Sequence, residues 1–240
     1  WLASFPLNVI GMIQGTYLAR KRSTIEPLPR YARWYSLVGI NLAFFIVAFA
    51  IRAFLYQPFS IPSAAMEPSL NIGDYFFVSK RAYDNAGPQR GDVVVFKMPN
   101  PNSPDYNQDF VKRVIGLPGD RVQMINGQVF LNSKPIPKKR VADYIRPDEF
   151  GVVRNVQRFT ETLPSGRSYY VLDLGPNSNE DNTGIFVVPA GHYFMMGDNR
   201  DNSDDSRMSV GFVPAEDLVG KAVVKFVDGQ HKTMIWDPVD

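Results

Sequence analysis

Residues 110–132 read FVKRVIGLPGDRVQMINGQVFLN, and this stretch indicates the fold class. Three runs rich in Val, Ile and Phe have the composition of β-strands: Phe110–Ile115, Arg121–Ile125 and Gln128–Asn132. Asn126-Gly127, between the second and third runs, is a strong signal for a two-residue hairpin turn. The stretch therefore predicts a β-hairpin preceded by a further strand.

Strand-like runs continue on both sides of this hairpin. They are Tyr75–Ser79, Asp92–Met98, Tyr169–Asp173, Gly184–Val188, Tyr193–Met196 and Val219–Val227. Residues 133–168 and 175–183 are polar with scattered Pro and Gly, so they are predicted to be loops and an irregular subdomain. No helical period is sustained outside the N-terminal part. These signals by themselves predict a β-rich protein.

Composition excludes several kinds of site. The 240 residues contain no Cys, which excludes disulfides and a Cys nucleophile. They contain two His, His192 and His231, so a His-based triad or zinc site is hard to build. Six of the 26 basic residues and one of the 24 acidic residues precede Gln57, which leaves the remainder with a net charge of −3. That remainder has no basic excess to hold phosphates, and this argues against nucleic-acid binding.

The N-terminal quarter has the composition of a membrane segment. Trp34–Ile51 carries no charge, and only Arg52 interrupts the apolar stretch up to Tyr56. About 20 apolar residues span a bilayer, so we predict a transmembrane helix over 34–56, with a buried helix of a soluble protein as the alternative.

Two further segments precede this predicted span. Residues 1–19 are uncharged and are a possible first span or an interfacial helix. The basic loop 20–33 is expected in the cytoplasm, which places everything after Tyr56 on the outer face of the membrane.

Three later segments could carry chemistry. Phe59–Leu70, FSIPSAAMEPSL, is predicted to be a rigid exposed loop or a plain juxtamembrane linker. Lys112 lies in an apolar strand, where burial would lower the pKa of its amine and allow it to act as a base, although a solvated lysine is the more ordinary outcome. Gly197–Arg207, GDNRDNSDDSR, suggests a turn-rich loop or, as a minor alternative, a calcium site.

Together these segments resemble the bacterial type I signal peptidases, which are membrane-bound Ser/Lys proteases that remove signal peptides from exported proteins. The resemblance covers about Arg52 to Val227. Four motifs carry it, in the order found in that family: IPSAAMEPSLNIGDYFFVSK (61–80), RGDVVVFK (90–97), FVKRVIGLPGD (110–120) and GHYFMMGDNRDNSDDSR (191–207).

The resemblance implies a role for each matching residue. Lys112 matches the general base, and Ser63 matches the serine whose hydroxyl joins the oxyanion hole. Ser203 matches the serine that orients the lysine amine. Asp205 and Arg207 match a supporting ion pair, and Asp198 lies in the same loop.

The resemblance also implies two apolar pockets, which would accept small side chains at positions −1 and −3 of an A-x-A cleavage site. The matching residues are Phe59, Ile61, Pro62, Met66, Leu70, Phe76, Val95, Asp109, Phe110 and Val111.

The nucleophile position of the family motif is Ala65 in this chain. A methyl group cannot attack a carbonyl, so we expect this chain to be nearly inactive but still able to bind preproteins. The alternatives are a deliberate Ser-to-Ala change, a natural non-catalytic relative that binds signal peptides or envelope partners, and use of Ser63 or Ser69 as the nucleophile.

The fold implied by the resemblance is mainly β: an antiparallel catalytic core over 57–121 and 189–240, with a smaller β subdomain inserted at 122–188. The implied partners are preproteins with signal peptides and the lipid bilayer of the bacterial inner membrane, with the catalytic domain on the outer face. The family uses no metal and no cofactor. The sequence does not indicate an oligomeric state.

Overall fold

The computed structural model describes residues 34–147, 153–176, 178 and 180–239. The predicted segments at 1–19 and 20–33 lie outside the described residues. Residues from Ala50 onward form one compact unit, and residues up to Phe49 belong to a second unit.

One α-helix, α1, spans Trp34–Phe54, and its described apolar side chains from Val38 to Phe49 are exposed. The helix ends at Phe54, the chain turns at Leu55, and the first strand begins at Tyr56. The helix predicted over 34–56 therefore extends two residues too far. Among the residues that the structure describes, no helix meets the length and apolarity expected of a membrane span.

The rest of the described chain is β-structure, as predicted. Sixteen strands are present: β1 Tyr56–Ser60, β2 Tyr75–Ser79, β3 Val93–Lys97, β4 Asp109–Gly116, β5 Arg121–Ile125, β6 Gln128–Leu131, β7 Lys134–Pro135, β8 Lys138–Arg140, β9 Tyr144–Pro147, β10 Val153–Thr162, β11 Ser168–Asp173, β12 Phe186–Val187, β13 His192–Met196, β14 Val213–Pro214, β15 Leu218–Asp228 and β16 Thr233–Pro238. Every pair of neighbouring strands is antiparallel.

The strands form three sheets. The largest has the order β1-β2-β15-β3-β4-β13-β14, with β16 paired to β15. Two four-stranded sheets follow β4 in the chain, one with β12-β5-β6-β7 and one with β11-β10-β8 and β9 beside β10. The Asn126-Gly127 turn joins β5 to β6, and both residues have positive φ, which suits an Asn-Gly hairpin.

The prediction of loops over residues 133–168 is wrong. That segment contains β7 to β10, including the ten-residue β10. Seven of the ten residues of β10, VRNVQRFTET, are polar or charged, so it lacks the apolar composition from which strands were predicted. Its backbone instead pairs with β8, β9 and β11, a tertiary arrangement that composition does not reveal.

β3 and β4 lie at the centre of the largest sheet, and both of their faces are covered. Val93 and Val95 belong to one apolar cluster, and Val94 and Phe96 belong to another. Strand alternation explains this division, because successive side chains point to opposite faces. Any side chain in the middle of the neighbouring β4 therefore becomes buried, whichever face it is on.

Candidate active site

The segment after β1 forms a buried turn. Ala64–Met66 is one turn of 3-10 helix with all three residues buried, and Ser63 before it is extended and exposed. Two backbone hydrogen bonds tie the segment to the start of β2, from Ile61 N to Asp74 O at 3.0 Å and from Gly73 N to Ile61 O at 2.8 Å. The turn therefore belongs to the packed structure and is not a plain linker.

Lys112 lies in the middle of β4 with 4% of its surface exposed, which rules out the solvated lysine that was the alternative. It pairs across the sheet with Val94, whereas Arg113 pairs with Val93. Cross-strand partners lie on one face, so Lys112 and Arg113 point to opposite faces, as alternation predicts.

The charge state of Lys112 depends on its surroundings. Burial lowers the pKa of its amine below the ordinary value of 10.5, although the carboxylates of Asp205 and Asp204 oppose the shift. Arg207 lowers this pKa further, and Asp198 raises it. The Phe110 ring centroid lies 5.7 Å from the Nζ atom. A lysine held in this way loses its proton more readily than one in water.

The loop at 197–207 wraps around the buried turn. Asn199 donates from its backbone N–H to Ala65 O and from its side-chain Nδ2 to Ala64 O, both at 3.1 Å. The 3-10 turn also packs directly against β4. Turn, loop and lysine strand therefore meet in one place.

Gly197 lies where the loop comes close to the turn. A Cβ atom built on it would lie 2.2 Å from Ser203 Oγ and 2.6 Å from Ala65 O. Ser203 and Ala65 thus both occupy the space that a side chain at position 197 would need. No larger residue fits there without moving one of them.

Ser203 is 6% exposed, and its Oγ has no hydrogen-bond partner among the residues that the structure describes. A buried hydroxyl without a hydrogen-bond partner lowers the stability of the fold unless a ligand or a water molecule binds it. Next to it, Asp205 is fully buried and accepts a bidentate ion pair from Arg207, with Nε–Oδ1 at 2.9 Å and Nη2–Oδ2 at 2.8 Å. Burial would raise the pKa of Asp205, but Arg207 outweighs it and holds that pKa below its ordinary value.

A second buried ion pair lies beside the first. Arg113 donates to both oxygens of Asp198 at 2.8 and 2.7 Å, and Ser69 Oγ donates to Asp198 Oδ2 at 2.5 Å. Sequence reasoning noted Asp198 but missed Arg113, Gly197 and Asn199 as parts of the site. The Gly-Asp-Asn run at 197–199 was the available signal, but the partners of Asp198 and Asn199 lie more than 80 residues away in the chain.

The predicted pocket residues fall mostly in one apolar cluster. Ile61, Met66, Leu70, Phe76, Val95, Phe59 and Val111 pack together there. Phe110 belongs to the cluster on the other face of β4, while Pro62 is exposed and Asp109 pairs with Lys97 at 2.8 Å. The positions thus gather next to the turn, with these three exceptions.

A cavity of about 300 Å³ lies elsewhere in this unit, between the β5–β6 turn and the β10–β11 pair. Lys138, Asp173 and Asp181 are among its lining residues, and none of the predicted site residues reaches it.

The carboxylates of the 197–207 loop already have partners. They form ion pairs with Arg113 and Arg207 or accept hydrogen bonds from Ser209 and from a backbone N–H group. Within the described ranges, no group of three or more metal-ligating side chains is present.

The close approach at Gly197 yields a stability prediction. Gly197→Ala should lower the free energy of unfolding by about 1–3 kcal/mol, because its Cβ would press on Ser203 and on backbone at Ala65. Gly184→Ala is the matched control, since its Cβ would have no atom within 4 Å. Urea unfolding curves measure both, and equal midpoints would contradict the geometry described.

The burial of Lys112 yields a pH prediction. The pKa of Lys112 is lower in the folded state than in the unfolded chain, so protonation of Lys112 opposes folding below the folded-state pKa. Lys112→Met should therefore stabilise the protein near neutral pH by about 1.4 kcal/mol for each unit of that depression. The gain should shrink as the pH rises from the folded-state pKa through 10.5.

Unfolding curves for Lys112→Met and the unsubstituted chain at a series of pH values test this. Lys139→Met, at an exposed lysine of β8, is the control and should show no such trend. A stability difference at Lys112 that does not change with pH would exclude a depressed pKa.

The comparisons agree with the motifs. Residues 33–227 match the family model described as "Signal peptidase, peptidase S26". The signal peptidase I of Rickettsia typhi is 37% identical over 80% of this chain and 78% of its own length, and that of Rickettsia conorii is 37% identical over 82% and 80%. A crystal structure of a signal peptidase I from Enterococcus faecalis is 28% identical over 56% of this chain and 95% of that chain, with a TM-score of 0.32. The chain belongs to the signal peptidase family, peptidase S26.

Proposed function

We propose that this chain has the site of a Ser/Lys signal peptidase whose nucleophile position holds Ala65. The observation that carries the proposal is the buried Lys112, whose depressed pKa suits a general base and which lies in the strand that packs on the Ala65 turn. The substrates are preproteins cut after small residues in the A-x-A pattern. The proposal rests on this geometry and on the names of the relatives together.

The roles follow from the chemistry of a chain with serine at position 65. Lys112, once deprotonated, takes the hydroxyl proton as the serine oxygen attacks the scissile carbonyl carbon. Lys112 then gives the proton to the departing amine, and water hydrolyses the acyl-enzyme. With Ala65 in place, the bond to the carbonyl cannot form.

Hydrogen-bond donors next to the turn suit the oxyanion that would develop. The N–H of position 65 and the exposed hydroxyl of Ser63 are assigned to it. Ser203 is assigned to orient the Lys112 amine, since its buried Oγ has no partner in the described part of the chain. The Asp205–Arg207 pair supports Lys112 from the loop side.

The other serines of the segment are poorer nucleophiles. The Ser69 hydroxyl donates a hydrogen bond to Asp198 and accepts one from Arg113 at 3.2 Å. Both of these bonds hold it within the Arg113–Asp198 pair. Ser63 is exposed and lies before the turn. We therefore assign no cleavage to this chain and retain binding of preproteins.

Restoring a serine tests the proposal. Ala65→Ser should cut a preprotein with an A-x-A site at least roughly 1,000-fold faster than the Ala65 chain, because a nucleophile and its base act as a unit. Its rate should rise with pH as Lys112 loses its proton, with a midpoint below the ordinary lysine pKa. Cleavage of the purified preprotein in detergent is the measurement.

Two controls give this experiment its specificity. Ala64→Ser places the same hydroxyl one residue earlier in the same buried turn and should not cut. Ala65→Ser combined with Lys112→Met should also fail. If Ala65→Ser is inactive but binds signal peptides, the natural non-catalytic relative is the correct description.

Membrane anchoring by α1 is the second part of the proposal. Its support is the uncharged run at Trp34–Ile51 and the exposure of apolar side chains such as Phe44, Phe45 and Ile46. The enzyme domain that begins at Gln57 is assigned to the extracytoplasmic face of the bacterial inner membrane, because the preceding loop is basic.

Protease added to intact spheroplasts tests this topology. It should digest the domain after Gln57 in the unsubstituted chain and spare it when Phe45 and Ile46 are both changed to Asp, because each Asp at a helix centre opposes insertion by about 3 kcal/mol. Changing the same two residues to Leu is the control and should preserve digestion. Protection of the unsubstituted chain would refute the assigned orientation.

A further inference from the structure

A buried ion pair joins the inserted segment, residues 122–188, to the loop of the candidate site. Glu161 on β10 is fully buried, and both of its carboxylate oxygens accept from Arg200, at 2.6 and 2.5 Å. Tyr169, its cross-strand partner on β11, donates its hydroxyl to Glu161 Oε2 at 3.0 Å. Burial alone would lower the pKa of Arg200, but the Glu161 carboxylate raises it, so Arg200 stays charged.

The backbone makes the same connection. Leu172 N donates to Asp198 O at 2.8 Å, and Arg200 N donates to Leu172 O at 2.9 Å. These bonds form a parallel bridge between β11 and Asn199. The first residues of the loop are therefore held by a strand of the inserted segment as well as by the largest sheet.

Arg200 carries this connection into the site. Its Nε donates to Gly197 O at 3.2 Å, and its own carbonyl accepts from Arg207 Nη2 at 2.5 Å. Gly197 is the residue pressed between Ser203 and Ala65, and Arg207 is the partner of Asp205. Two hydrogen bonds thus link Glu161 and Arg200 to both halves of the loop.

Tyr169 extends the contact to the strand of the lysine. The Arg113 guanidinium lies 4.2 Å from the centroid of the Tyr169 ring, and Arg113 is the chain neighbour of Lys112. Stability by itself gives little reason for such a set of charges, because a buried ion pair can often be replaced by apolar residues at no loss. Fixed geometry is a better reason, since a bidentate pair holds its partners in one arrangement.

We propose that Glu161 is a positioning residue: by holding Arg200 it fixes the loop that places Gly197, Ser203 and Asp205 around Lys112. This inference rests on the proposed function for its catalytic meaning. It gives the inserted segment a part in the site, although no residue of that segment was singled out by the sequence motifs.

Charge balance supplies a readout that a purely structural role would not move. Three buried ion pairs each balance one positive charge with one negative charge: Arg113–Asp198, Arg200–Glu161 and Arg207–Asp205. Glu161→Gln leaves the Arg200 charge uncompensated beside Asp198 and Arg207, two of the charged groups that act on the pKa of Lys112. An additional uncompensated cation in this set should lower the pKa of Lys112, by an amount on the order of one unit at protein dielectric constants.

The test is a carbon-13 NMR titration of the lysine side chains in the Ala65 chain, with the Lys112 signal assigned from Lys112→Met. We expect Glu161→Gln to lower the Lys112 midpoint by about one pH unit. Glu161→Gln combined with Arg200→Gln removes both charges and with them the electrostatic part of the shift, so any shift that remains reports displacement of the loop. The double variant also covers the case in which Glu161→Gln alone does not fold.

Asp120→Asn is the matched control, because Asp120 is another buried carboxylate, paired with Arg90, that makes no contact with the loop. It should leave the Lys112 midpoint unchanged. An unchanged midpoint in folded Glu161→Gln would overturn the proposal.

Kinetics in the Ala65→Ser background complete the test. Both Glu161→Gln and the double variant should lose kcat by roughly tenfold or more with little change in KM, because the loop positions the reacting groups. Full kcat in the double variant would overturn the positioning role. If Ala65→Ser itself is inactive, the proposed function fails, and the titration still decides the role of Glu161.

Discussion

Three buried arginine–carboxylate pairs are the constraint on which the candidate site depends. Arg113–Asp198, Arg200–Glu161 and Arg207–Asp205 lie next to one another, each almost without exposure to water. A buried charge without its partner is strongly unfavourable, so the folded chain is more stable when each pair is closed. Closing all three brings β4, β10 and the 197–207 loop to fixed distances.

The lysine can be buried because of this arrangement. Lys112 lies in a strand covered on both faces, and desolvation opposes its charge. The loop places the Asp205 carboxylate near it, yet Arg207 already neutralises that carboxylate, so Lys112 still has a depressed pKa. Paired ions thus supply polar surroundings in which the pKa of the Lys112 amine stays below its ordinary value.

Several elements were predictable from local sequence. β2 and β5 have the predicted bounds, and the Asn126-Gly127 turn joins β5 to β6 as expected, because apolar composition and hairpin chemistry are local properties. The strands of residues 133–168 were not predictable, since most residues of β10 are polar and its pairing partners define it. Lys112, Ser203 and Asp205 stand in the family motifs, whereas Glu161 lies in a segment without any motif.

The sequence alone determined the family, the β-rich class and which residue stands at each position of the family motifs, Ala65 included. Each of these depends on which residues occur in which order. Tertiary structure decided that Lys112 is buried and that Glu161 pairs with Arg200. It also decided that Ser203 and Ala65 leave room only for a glycine at position 197. Burial and ion pairing depend on segments far apart in the chain, and only the folded sheets bring those segments together.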